Sequence, residues 1–251
     1  MRRPIGCCAT DGNPAHATGH HDASAHGPAA HGGRGNLRRD TGHVKDALAD
    51  FTEAVCADPA FVDAYFNGGD LYYRMGSYQQ AFDDYSKAID LKPDFVKAYC
   101  ERGATRNQLG DYQGAIKDTT RALDLDPQWY CAYNRRAAAY FALGDYQHAL
   151  DDYTAYLRGF PNEPGGYAGR AAAYDGLGNY DAALTDLNRA IQLDPTYALA
   201  YNNRGQTYVH LGKYREAIAD WQQAAELYRQ QGSQADYQRL TRAIEQLKQQ
   251  K

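Results

Sequence analysis

Charged side chains of opposite sign recur at one fixed spacing along most of this 251-residue chain. Each arginine of the series stands sixteen residues before an aspartate, and both sets repeat every 34 residues. The arginines are Arg34, Arg102, Arg136, Arg170 and Arg204, and the aspartates are Asp50, Asp84, Asp118, Asp152, Asp186 and Asp220. A planar guanidinium group can donate two parallel hydrogen bonds to one carboxylate, so the pattern favours a series of ion pairs. We expect a structural role in preference to a ligand site, with the pairs setting the register of the repeats more than adding stability.

A glycine lies at the centre of each interval, eight residues from the arginine and eight from the aspartate. These register glycines are Gly42, Gly76, Gly110, Gly144, Gly178 and Gly212. A fixed period of this size predicts one small supersecondary unit that is copied along the chain. If each glycine joins two antiparallel helices, the equal offsets place arginine and aspartate at the same height. The pairs then form either within one copy or between the second helix of a copy and the first helix of the next. The second copy has Gly68 in place of arginine, so we expect Asp84 to lie near Arg102.

The other recurring positions indicate a pair of helices in each copy. Alanine stands five residues after every register glycine, and proline stands near the end of five copies. In the copy from Val62 to Phe95, apolar and small residues fall at helical spacing on both sides of Gly76. The glycine suits a helix end, because a left-handed backbone costs no Cβ clash there. The proline stops the second helix, and neighbouring copies must stack, since one hairpin cannot bury its apolar face alone.

The repeated string resembles the tetratricopeptide repeat. In the copy from Val62 to Phe95, the matching residues are Tyr65, Gly69, Tyr72, Ala81, Tyr85, Ala88 and Pro93. The leucine of the family pattern is replaced by Gly68 in this copy and by arginine in most of the others. The resemblance implies an all-α fold, a right-handed α-solenoid of about six tetratricopeptide helix hairpins with a C-terminal capping helix.

Composition divides the chain into three parts. Residues 1–29 are rich in His, Gly and Ala and contain almost no large aliphatic side chains, which predicts a disordered tail. We expect the solenoid to span residues 30–231 and a capping helix with a polar outer face to span residues 232–251. The expected repeats cover residues 30–61, 62–95, 96–129, 130–163, 164–197 and 198–231. Gly32, Gly33 and Gly35 weaken the first helix of the first repeat, since an interior glycine costs about 1 kcal/mol relative to alanine.

The resemblance also implies where a ligand binds. In the family, the first helix of each pair lines a concave groove that holds segments of partner proteins. Carried over by position, the groove candidates are Asn67, Asp70, Lys97, Glu101, Asn134, Arg135, Asn202, Asn203 and Gln206. Asparagine and glutamine both donate to and accept from a peptide backbone, so this lining suits an extended chain. The alternative is that these side chains are solvated helix positions without a ligand.

One branch of the family captures the carboxylate tails of heat-shock chaperones with lysine, asparagine and arginine. The best frame in this sequence supplies Gly32, Asn36, Asn67, Lys97 and Glu101. The first lysine is missing, and Glu101 would repel a carboxylate. We therefore do not expect binding of chaperone carboxylate tails. The string from Tyr201 to Gly205 is similar to bacterial, especially cyanobacterial, repeat proteins, which implies a scaffold that helps to assemble a larger complex with an unidentified protein or peptide partner. The five cysteines show no framework pattern and fit reduced thiols, so we expect a cytoplasmic protein.

Several function classes are not expected for this chain. It contains no phosphate-binding glycine loop, no G-x-S-x-G and no H-E-x-x-H, so we expect neither an enzyme nor a cofactor. Between residues 44 and 228, 26 acidic residues face 17 basic ones, which argues against a nucleic-acid partner. No stretch approaches the roughly 20 apolar residues of a membrane-spanning helix, so we expect no membrane insertion.

The histidines and cysteines near the start of the chain suggest metal chemistry of a weak kind. Cys7, Cys8 and the pair His20–His21 could take up a divalent metal ion opportunistically. A structural site needs fixed ligand spacing, which this segment lacks, so we predict no metal site. The alternative function that remains open is a non-catalytic regulatory or targeting subunit of an enzyme assembly, with this His-rich tail sensing a metal or a partner.

Overall fold

The computed structural model of the chain describes residues 27–40 and 43–249. Every regular element in these two ranges is an α-helix, and none is a strand. The helices are α1 (Pro28–Asp40), α2 (Val44–Ala57), α3 (Val62–Arg74), α4 (Tyr78–Leu91), α5 (Val96–Leu109), α6 (Tyr112–Leu125), α7 (Tyr130–Ala142), α8 (Tyr146–Gly159), α9 (Pro164–Gly176), α10 (Tyr180–Leu193), α11 (Ala198–His210), α12 (Tyr214–Gln230) and α13 (Gln234–Gln249). The predicted all-α class built from helix hairpins is confirmed. Residues 1–26 of the predicted tail lie outside the described ranges, and the limits given for tail, solenoid and cap stay predictions.

The register glycines terminate the first helix of each hairpin. Gly110 follows α5 with a φ of 79°, and its N–H faces the carbonyl oxygens of Arg106 and Asn107. The side chain of Asp111 then accepts a hydrogen bond from the N–H of Gly114 and caps α6. The register glycines in the described ranges have φ between 70° and 79°, namely Gly76, Gly110, Gly144, Gly178 and Gly212. A residue with a Cβ is strained in this conformation, so the turn requires glycine. Gly42 lies outside the described residues.

The chain divides into two compact units, one up to residue 127 and one from residue 128. In the N-terminal unit, α1 to α6 pack in chain order, and the first helices α1, α3 and α5 also contact their neighbours. In the C-terminal unit, α7 to α13 pack in the same way, and α9 contacts both α7 and α11. Each unit is thus a stack of helix hairpins whose first helices lie side by side.

Small residues let the two helices of a hairpin approach closely. The alanine five residues after each register glycine is fully buried in every copy, at Ala47, Ala81, Ala115, Ala149, Ala183 and Ala217. In the second hairpin, a Cβ added to Gly69 would lie 2.8 Å from a ring carbon of Tyr85. In the third, a Cβ added to Gly103 would lie 2.6 Å from Thr119 Cγ2. Since real Cβ atoms do not come this close, glycine on the first helix makes room for a large side chain on the second.

The last helix covers the open end of the C-terminal stack. Leu240, Ile244 and Leu247 of α13 are buried against a cluster that includes Ala217 and Trp221 of α12. This contact leaves the polar face of α13 exposed, which is the pattern of a capping element. Among the helices described, none is long and apolar enough to cross a membrane.

Candidate functional site

The arginines and aspartates of the series lie opposite one another within single hairpins. In the fourth hairpin, Arg136 donates from Nε and Nη2 to the two carboxylate oxygens of Asp152, each at 2.8 Å. The same two-bond arrangement, at 2.7–2.9 Å, is found in Arg102–Asp118, Arg170–Asp186 and Arg204–Asp220. The guanidinium carbon of Arg136 also lies 5.6 Å from the centre of the Tyr133 ring. Each pair therefore joins the two helices of its own hairpin.

These pairs are largely removed from solvent. The side chain of Asp152 is 8% exposed and that of Arg136 is 19% exposed. The hydrogen bond to Asp152 raises the pKa of Arg136 above its ordinary value, although burial works against the charged form. The pairing uses both carboxylate oxygens of Asp152 and two donors of Arg136. These side chains therefore serve the contact between the two helices of their hairpin.

The first two hairpins depart from this arrangement. Arg34 Nε lies 3.4 Å from Asp50 Oδ1, a longer contact than in the later hairpins. In the second hairpin, Asp84 of α4 is buried, and Gly68 of α3 stands at the arginine position of the repeat. Arg102 bonds to Asp118 and, through Nη1, to Ser86. The contact expected between Arg102 and Asp84 stays a prediction.

In the N-terminal unit, four groove candidates lie on two first helices. Asn67 and Asp70 are on α3, and Lys97 and Glu101 are on α5. Asp70 accepts a hydrogen bond of 2.7 Å from the hydroxyl group of Tyr85. Burial, followed by the charge of Asp70, raises the pKa of Tyr85 above its ordinary value. Asp70 is thus partly held by its own hairpin.

Lys97 has a different environment on the same face. Its side chain is exposed, and Nζ lies 4.6 Å from the centre of the Phe66 ring on α3. This cation–π contact holds the ammonium group over the neighbouring first helix. The face of α3 and α5 therefore presents both signs of charge.

In the C-terminal unit, the first helices α7, α9 and α11, together with Leu187 of α10, line an open pocket of about 180 Å³. We call it the α9 pocket. It is lined by Phe141, Ala171, Ala172, Asp175, Leu187, Asn203, Gln206 and Thr207. Of the groove candidates, Asn203 and Gln206 line this pocket, whereas Asn134, Arg135 and Asn202 are not among the lining residues. The backbone carbonyl of Asn202 accepts a hydrogen bond of 3.1 Å from Trp221 Nε1, which fixes α11 against α12.

Asp175 is the charged residue that lines the α9 pocket, and it contacts His210, which lies outside the lining. Asp175 Oδ2 lies 2.9 Å from His210 Nδ1, and Gln206 Nε2 lies 3.1 Å from His210 Nε2. The second carboxylate oxygen, Asp175 Oδ1, is buried and has no hydrogen-bond donor among the described residues. A buried acceptor without a donor is costly, and more so on a charged group. Asp175 therefore keeps one carboxylate oxygen without a donor beside the pocket that it lines.

The sequence reasoning missed Phe141 and Asp175. They stand 34 residues apart, at the same position of successive copies, near the ends of α7 and α9. Their shared register was the signal that could have found them. Position alone did not show that they meet across a pocket, because this depends on how closely α7, α9 and α11 pack.

One group of possible metal ligands occurs among the described residues. Ligand atoms of His31, Asp50 and Glu53 lie within 4.8 Å of one another. The guanidinium group of Arg34 is already there, with Nη2 at 3.4 Å from Glu53 Oε2. Because this cation would repel a metal ion, the group does not form a convincing metal site.

Models of known families match four stretches of the chain. A model described as TPR repeat matches residues 69–109 and 172–212. A model described as tetratricopeptide repeat matches residues 96–128 and 198–231. The matched stretches fall in both units. No curated protein sequence matches the chain significantly.

Several solved structures are similar to this chain. A tetratricopeptide repeat protein from Parabacteroides merdae ATCC 43184 has a TM-score of 0.68 at 21% identity, covering 85% of this chain and 84% of its own. MamA from Desulfovibrio magneticus RS-1 has a TM-score of 0.61 at 24% identity, and the match covers 68% of this chain and 96% of MamA. YrrB, described as a TPR protein with an unusual peptide-binding site, has a TM-score of 0.62 at 21% identity, and the match covers 76% of this chain and 95% of YrrB. At these identities the likeness shows the fold alone.

Hairpins in register, glycine turns and interlocking small and large residues together define an all-α protein of stacked helix pairs. The matched stretches are tetratricopeptide repeats, and they lie in both units of the chain.

Proposed function

We propose that this protein is a non-catalytic interaction scaffold that binds a segment of a partner polypeptide on the first-helix face of its hairpins. Stacked repeats present extended surfaces of this kind, and these surfaces are where such proteins bind other chains. In this chain the C-terminal unit provides the stronger candidate surface, and the partner is a protein or peptide.

The observation that carries the proposal is the α9 pocket. It lies between first helices, and two of its lining residues, Asn203 and Gln206, are amides. An amide side chain can pair with both the N–H and the C=O of an extended backbone. Apolar lining residues such as Ala171 and Leu187 add a surface for one side chain of the bound segment. A backbone-binding amide beside a side-chain pocket is a common arrangement for peptide recognition.

The remaining polar chemistry of the described residues supports a binding role. The arginine–aspartate pairs are satisfied within their hairpins, and the group at His31 already contains Arg34. Neither set offers an activated nucleophile or an open metal position. We therefore assign the pocket to recognition of a chain and not to turnover of a substrate.

A selection of random peptides tests the proposal. Phage-displayed 12-residue peptides are selected on the immobilised full chain, and their affinities are measured for two double variants. Asn203→Ala with Gln206→Ala removes both pocket amides, and we expect it to weaken the selected peptides by about tenfold or more. Gln223→Ala with Gln238→Ala removes two exposed amides of α12 and α13 and is the matched control, which should leave affinity unchanged. Peptides that bind both double variants with the same affinity as the wild type would show that the first-helix face is not the binding surface.

A further inference from the structure

The size of the α9 pocket limits what can enter it. Its volume is about 180 Å³. Pockets for drug-sized ligands span about 300–1,000 Å³. The pocket is therefore too small for a cofactor or a folded element and has room for a single side chain.

The charge of the pocket limits the chemistry of that side chain. Asp175 is the one charged residue among the described residues that line it, and its side chain is 17% exposed. His210 Nδ1 lies 2.9 Å from Asp175 Oδ2, whereas Asp175 Oδ1 has no hydrogen-bond donor among the described residues. Rotation of the carboxylate about its Cβ–Cγ bond would turn either oxygen toward an incoming N–H group. A cationic donor would gain the most, because hydrogen bonds between charged groups are the strong ones.

The other walls suit an aliphatic stem or a planar cation. Ala171, Ala172 and Leu187 give an apolar floor, and Phe141 at the rim is 37% exposed. Lysine and arginine bury their methylene stems along such surfaces while the charged head reaches a polar group. The exposed ring of Phe141 can in addition receive a guanidinium group over its face.

From these contacts we propose that the α9 pocket is a specificity pocket for an arginine or lysine side chain of the bound polypeptide, with Asp175 as the residue that recognises its charge. This inference rests on the proposed function and adds the chemistry of the partner to it. An acidic side chain would be repelled by Asp175. A purely apolar side chain would fill the volume but leave Oδ1 without a donor, at a cost in affinity.

The peptide selection described above is repeated on Asp175→Asn, with Asp181→Asn as the matched control. Asp181 is an exposed carboxylate on α10 that does not line the pocket. We expect peptides from the wild type and from Asp181→Asn to share one aligned position that is enriched in arginine or lysine. On Asp175→Asn this enrichment should disappear. A synthetic peptide from the wild-type selection should lose about tenfold in affinity on Asp175→Asn, and replacing its own basic residue by leucine should cause no further loss in that variant.

Folding of each variant is checked by its circular dichroism spectrum and melting midpoint. If Asp175→Asn does not fold, Phe141→Ala replaces it, and the basic peptides should again bind about fivefold or more weakly to it. Enrichment of basic residues that persists on Asp175→Asn, or a wild-type selection without a basic position, would overturn the inference. Peptides that lack a basic position but still require Asn203 and Gln206 would refute this inference alone. Peptides that ignore Asn203 and Gln206, or a selection that returns no binder, would contradict the proposed function as well.

Discussion

Replacing Arg136 by methionine tests the structural role of the arginine–aspartate pairs. The change removes two hydrogen bonds of 2.8 Å and leaves the carboxylate of Asp152, whose side chain is 8% exposed, without its cation. Breaking a buried pair by removing one partner costs about 3–5 kcal/mol, because an uncompensated charge stays buried. With a urea dependence of about 2 kcal/mol per molar, the unfolding midpoint should fall by about 2 M.

The second half of this experiment separates the pair's net contribution from the cost of breaking it. In Arg136→Met with Asp152→Leu, both charges are replaced by apolar groups, so we expect most of the lost stability to return. Arg158→Met, which changes an exposed arginine at the end of α8, is the control and should shift the free energy of unfolding by less than about 0.5 kcal/mol. Unfolding is followed by far-ultraviolet circular dichroism in urea. A single variant Arg136→Met with an unchanged midpoint and slope would refute the reasoning.

Three further predictions concern the packing of the hairpins. Gly69→Ala should lower the free energy of unfolding, measured in urea, by about 1–3 kcal/mol, because the added Cβ would lie 2.8 Å from the Tyr85 ring. Gly33→Ala in α1 is the control and should be neutral or stabilising, because a Cβ added there would meet no atom within 4 Å. Gly110→Ala should lower the free energy of unfolding by about 1 kcal/mol, because alanine is strained at a φ of 79°. A Gly110→Ala variant that is no less stable than Gly33→Ala would contradict the turn assignment. Burial raises the pKa of Tyr153 from 10.0 to about 12, so the folded state holds this proton more tightly than the unfolded state. The protonated Tyr153 therefore stabilises the folded state fully below pH 10, and roughly 2–3 kcal/mol of this stabilisation is lost as the pH rises toward 12. When the melting midpoint is measured across this pH range, the loss should be smaller in Tyr153→Phe.

Much of the fold is visible in the sequence because one unit is copied with little change. The 34-residue period, the glycine turns and the alanines beside them follow from backbone and packing rules that act within one hairpin. Arg136 and Asp152 are predicted to meet because their offsets from Gly144 are equal, and that argument also needs only one hairpin.

The parts that sequence reasoning missed depend on contacts between elements. Gly32 and Gly35 are helix-weakening residues in isolation, yet in the structure a Cβ at either position would overlap the ring of Phe61 or Phe51. Their presence in α1 is explained by tertiary packing, which propensity does not contain. Asp175 was likewise passed over, because its importance comes from His210 on the next first helix and from the pocket between them.

The most direct test of the account locates a selected peptide on the folded chain. Backbone amide signals of the isotope-labelled protein are recorded by nuclear magnetic resonance with and without one peptide from the wild-type selection. The account predicts that the largest shifts fall on α9 and α11, around Asp175, Asn203 and Gln206, with small shifts on α8 and α12. Shifts concentrated on α8 and α12 and absent from the α9 pocket would contradict it.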